Sequence, residues 1–111
     1  MTPAELQERT FVFALQVYRY VRPMLRDSES RHLGQQLLRA ATSVASNYRA
    51  ACLARSPAEW LAKIGVVREE SDEALFWLRF ILRAGPAGVD KTSLTQLVEE
   101  ADELTRIFAA S

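Results

Sequence analysis

The chain has 111 residues, 49% of them hydrophobic, with 14 basic and 14 acidic side chains and no net charge. That is enough for one compact domain with its own core. Four Gly and four Pro exclude a loop-rich or disordered chain, and a single cysteine, Cys52, excludes an intrachain disulfide. The opening MTPAELQERTF lacks the basic-then-apolar order of a signal peptide. No apolar run approaches the ~20 residues that span a bilayer, so the expectation is a soluble cytoplasmic protein with no membrane partner. Charge is unevenly spread: residues 1–57 carry eight basic and four acidic side chains, residues 58–111 six basic and ten acidic. Either a basic helix pair packs beside an acidic one, or the basic half presents a docking surface.

Four helices are expected in chain order. The first runs from about Pro3 to Val21, with Ala14, Val17, Tyr18, Val21 and Leu25 recurring at steps of three and four. Pro23 should end or kink it. Asp27 and Ser28 offer a cap for a second helix reaching Ala54 or Arg55, whose apolar stripe is Leu33, Leu37, Val44, Tyr48 and Ala51. Ser56-Pro57-Ala58-Glu59 marks a sharp start for the third: Ser56 caps, Pro57 lacks only an amide proton the first turn does not use, and Glu59 can close a capping box. Gly85-Pro86-Ala87-Gly88 stops that helix near Ala84. The fourth begins near Asp90 or Thr92 and carries Leu94, Leu97, Val98, Ala101, Leu104 and Phe108 on one face. No segment alternates with period two. Short connections make successive helices antiparallel, so the expected fold is all-α, a single domain of residues 1–111 forming an antiparallel up-down-up-down four-helix bundle.

The third helix divides into faces at ~100° per residue. Trp60, Ile64, Val67, Ala74, Leu75, Leu78 and Leu82 share the core side. Phe76 and Phe80 lie nearly opposite, with Trp77 to one side. The reading is a subunit interface formed by Phe76, Trp77 and Phe80; the alternative is that the fourth helix covers them. On the second helix, Gln36, Arg39, Ser43 and Asn47 form a narrow polar stripe beside small residues. Lys63, Glu70 and Glu73 of the third helix are its expected partners in a buried polar network. A phosphate site anchored by Arg39 is the sharper alternative.

These residues resemble the bacterial family of 23S rRNA intervening-sequence proteins, which includes the accessory variability proteins of diversity-generating retroelements. The resemblance rests on Phe11 to Tyr18, Gln36 through Val44, Asn47-Tyr48, Arg55-Ser56, Lys63, and Glu69 to Glu73 leading into Trp77-Leu78, and covers roughly residues 9–84. It implies a four-helix bundle assembled into a homopentamer. For retroelement members it implies binding to nucleic acid, RNA or DNA, and to a reverse transcriptase through basic outer surfaces. Many members carry a glutamate where this chain has Ala50, so no role resting on that carboxylate carries over. A local basic surface could come from Arg9, Arg19, Arg22, Arg26, Arg31, Arg39, Arg49 and Arg55; of these Arg19, Arg22, Arg26, Arg31, Arg49 and Arg55 are the candidate nucleic-acid contacts.

Catalytic chemistry is not visible. His32 is the one histidine, which rules out the usual paired Glu-x-x-His of a di-iron bundle. Glu69, Glu70, Asp72 and Glu73 scatter around their helix, and Cys52 has no histidine partner in the pattern. The expectation is no enzyme, no cofactor and no metal: a homo-oligomeric scaffold or accessory factor. The rival is a nucleic-acid-binding accessory protein working with a reverse transcriptase, and a metal- or ligand-binding bundle ranks last.

Overall fold

A computed structural model describes residues 1–86 and 90–111. Helix α1 spans Pro3–Leu25, α2 Arg31–Cys52, α3 Pro57–Ala84 and α4 Lys91–Ala109. Each helix starts where a side chain or turn answers its free amides. Thr2 and Glu5 form a complete capping box on α1, with bonds of 3.1 and 3.2 Å. Ser56 caps α3 by accepting from the Glu59 amide at 3.1 Å, but the return bond from Glu59 does not form, so only half of the expected box is present. Asp90 caps α4, accepting from the Thr92 amide at 3.1 Å and from the Ser93 hydroxyl at 2.6 Å. At the other end of α3, Gly85 takes φ 61°, the left-handed conformation that closes a helix and that glycine reaches without strain. The Ala87-Gly88 part of the expected stop lies outside the described residues.

Three boundaries depart from expectation. Pro23 sits inside α1, which continues to Leu25. It falls in the last turn, where its missing N–H forfeits one bond and its ring faces solvent. Helix α2 begins at Arg31, not at Asp27–Ser28, because Asp27 caps the turn: its carboxylate accepts from the Ser30 amide at 3.1 Å and the buried Ser30 hydroxyl at 2.8 Å. Its far end is Cys52, two to three residues short of the sequence estimate.

Cross-helix contacts run in opposite senses along each successive pair, as antiparallel packing requires. Arg39 meets Glu70 and Glu73 while His32 meets Trp77; Arg68 reaches Phe108 while Thr105 reaches Ser71. The chain is an antiparallel four-helix bundle, 46 × 23 × 19 Å. Each helix packs on its neighbours in sequence, α2–α3 most extensively, and α4 closes back on α1 through a smaller contact. Small side chains, Ala40 and Ala41 on α2 and Ala74 on α3, are fully buried at the seams. Gly34 admits α1 so closely that a Cβ there would lie 3.2 Å from Met24 Cβ.

The core is built from Phe13, Val17, Val21, Leu37, Val44, Ile64, Val67, Leu78, Ile81, Leu94, Leu104 and Phe108, all essentially inaccessible. Several stripe residues shift outward relative to expectation. Tyr18 is exposed, with Arg22 stacked 5.8 Å from its ring centre, and Phe13, outside the expected stripe, is buried. Trp60, Leu82, Leu25, Leu33 and Val98 are half-buried at the edge of the core, and Ile81 is the buried residue near the end of α3. Over seven turns an α-helix drifts relative to a fixed stripe, so the inward residue moves from 82 to 81.

Candidate functional site

The outward face of α3 carries the most unusual surface of the molecule. Phe76 is 54% exposed and Phe80 46%, although both are large apolar rings on a charged helix. Their centroids lie 6.2 Å apart, one turn along the helix. Half-buried Trp77 stands edge-on to each, at 5.0 and 5.9 Å. On its other side Trp77 meets His32 of α2, ring centres 5.9 Å apart and perpendicular. His32, although exposed, thus packs against the aromatic cluster. Asp72, Arg79 and Arg83 flank the rings along an open hollow of about 590 Å³. Helix α4 approaches through the Arg79–Asp102 ion pair at 3.5 Å but leaves both phenylalanines uncovered.

The polar stripe divides. Arg39 joins α2 to α3, donating to Glu70 at 2.9 Å and also to Glu73. Burial is the largest single influence on Glu73 and raises its pKa, but hydrogen bonding to Arg39 and Glu70 and the Arg39 charge together outweigh it and hold the carboxyl below the usual carboxylate range. The Arg39 guanidinium is thereby already matched by two carboxylates, and half of it faces solvent. Asn47 turns back on its own helix, donating to the Ser43 carbonyl and hydroxyl at 2.9 Å each. Among the described residues, Gln36 and Lys63 form no side-chain hydrogen bond or ion pair. The arrangement is a half-exposed ion triad plus a local Asn–Ser motif.

The arginines form two groups at opposite ends. Arg19, Arg22 and Arg26 are exposed around Pro23, beside the α1–α2 turn, and the Arg31 side chain donates there to the Leu25 carbonyl at 3.1 Å. Arg49 and Arg55 lie towards the α2–α3 turn. Arg9 belongs to neither. Its guanidinium grips Glu100 through two bonds of 2.7 and 2.8 Å and reaches Glu103 at 3.0 Å, tying α1 to α4. The Glu100 hydrogen bonds raise the Arg9 pKa further. With Arg39–Glu70, this clamp pairs the basic first half of the chain with its acidic second half.

Sequence reasoning missed a second apolar surface. Between α1 and α2 lies an open groove of about 520 Å³ walled by Phe11, floored by Ala14 and Ala45, and lipped by Glu8, Ser46 and Arg49. Phe11 is 56% exposed. The signal was present: Phe11 and Tyr18 are seven residues apart, on a line off the Phe13–Val17–Val21 stripe. Among the described residues no group of three or more His, Cys, Asp or Glu side chains could hold a metal ion, and no helix is long and apolar enough to cross a membrane. Half-buried Cys52 packs at the core edge.

The geometry defines a helical-bundle protein whose distinctive features are surfaces. Residues 4–110 match the family of 23S rRNA-intervening sequence proteins, and the chain belongs to that family. Among solved structures, it resembles a crystal structure of a protein of unknown function from the S23 ribosomal protein family of Bacteroides thetaiotaomicron. The two superpose with a TM-score of 0.82 at 19% identity over 94% of each chain. At that identity the likeness speaks for the fold. No curated protein matches the chain.

Proposed function

We propose that this protein is a non-enzymatic, self-associating helical bundle acting as a scaffold or accessory factor in the cytoplasm, with the homopentamer of the family resemblance as its assembly. The observation that carries this reading is the exposed Phe76–Trp77–Phe80 cluster. An apolar aromatic surface of this kind is costly to leave wet, and aromatic rings are enriched in subunit contacts. Light scattering or sedimentation tests it: the mass should far exceed the 12.5 kDa chain, and Phe76→Ser with Phe80→Ser should return it to monomer. A native monomer at micromolar concentration ends the reading.

A second reading is favoured by the exposed Arg19, Arg22 and Arg26, which have no carboxylate partner among the described residues. It makes the assembly an RNA- or DNA-binding accessory that delivers nucleic acid to a reverse transcriptase. Binding to a structured RNA should then weaken steeply with salt, and replacing these three arginines by alanine should flatten the salt dependence. Binding that ignores salt would leave the scaffold alone.

A further inference from the structure

The molecule carries two exposed apolar surfaces, one on a single helix and one between two helices. One is a ridge: Phe76 and Phe80 stand outward from a single helix. The other is a trough between two helices, with Phe11 as one wall and the small Ala14 and Ala45 as its floor. They share no lining residue and lie on different sides of the bundle. If two copies joined ridge to ridge, the trough would stay wet.

We propose that the α1–α2 trough is the socket for the Phe76–Phe80 ridge of a second copy, so that the chain assembles head to tail. This rests on the self-association proposed above and specifies its geometry. Charge supports the pairing. The trough has acidic Glu8 on its α1 lip and basic Arg49 on its α2 lip. The ridge has Asp72 before the rings and Arg83 after them. Those two are eleven residues apart, or about 16 Å along the helix. A ridge laid across the trough sets Arg83 against Glu8 and Asp72 against Arg49, and a ridge laid the other way opposes like charges, so the lips select one direction. A contact between two different patches propagates: it yields a ring if the rotation closes and a filament if it does not. The ridge lies towards the α3–α4 turn and the trough towards the α2–α3 turn, so docked neighbours are inclined or stepped along their long axes.

Complementation between two broken subunits tests the pairing. The ridge variant is Phe76→Ser with Phe80→Ser, and the trough variant is Phe11→Lys, with Ser46→Arg as a second trough lesion. All four residues are exposed, and each variant should keep the helical circular dichroism of the native protein. Each variant alone should sediment as a monomer. A one-to-one mixture should form a species of two chains and nothing larger, because one intact ridge meets one intact trough. If the native protein assembles but both trough variants assemble as it does, or the mixture stays monomeric, the pairing is overturned while self-association stands. A native monomer overturns self-association itself.

Discussion

Helix α3 has two apolar faces, and only one of them is buried. On the inner face, Ile64, Val67, Leu78 and Ile81 are inaccessible and hold the bundle together. On the outer face, Phe76 and Phe80 remain half in water although each is larger than the residues inside. Burial within one chain accounts for the first face and not for the second. The lesson is that a helix can satisfy its core and still carry apolar surface free for a partner.

The contrast can be broken or sharpened by substitution. Leu78→Ala on the inner face should have the largest effect, a loss of about 2–5 kcal/mol in unfolding free energy by denaturant titration. A loss much below that range would mean the inner face is not the principal core. Gly65→Ala, on the outer side of the same helix, should act in the opposite direction. An added Cβ there meets nothing within 4 Å, so it should stabilise by about 0.5–1 kcal/mol through helix propensity. Destabilisation by calorimetry would point to a neighbour lying on that surface.

Replacing Phe76 and Phe80 by serine should change the stability of the dilute monomer by only about 0.5 kcal/mol per site. The same pair should abolish the dependence of Tm on protein concentration, which assembly otherwise imposes. An equally large loss at every concentration would place the two rings in the intrachain core. The smallest effect belongs to the seam beside them. The folded Glu73 pKa lies below its ordinary 4.5: burial raises it, and hydrogen bonding to Arg39 and Glu70 with the Arg39 charge together lower it by more. Its pairing therefore adds stability above that ordinary value, and the contribution fades as pH falls through the folded value. Glu73→Gln should narrow the drop in Tm between neutral and acidic buffer, and an unchanged drop would remove Arg39–Glu73 from the stability of the seam.

Much of the architecture was legible in the residues. Ser56, Pro57 and Gly85 mark the ends of α3 because capping and left-handed closure are local chemistry. Pro23 misled because a proline in the last turn does not stop a helix that is about to end. The outward placement of Phe76 and Phe80 followed from angular spacing alone. The Phe11 trough did not, since a groove belongs to two helices and depends on how closely Ala14 and Ala45 let them approach. For the same reason Arg9 read as a surface cation, though Glu100, ninety-one residues away, holds it.

From the order of its residues the chain is committed to four amphipathic helices, to their ends, and to a third helix with rings on its outer side. Those features depend on neighbours within one or two turns. Which cations are paired, where the trough lies, and which stripe residues reach the core were decided when the helices packed, because each depends on side chains brought together from distant segments.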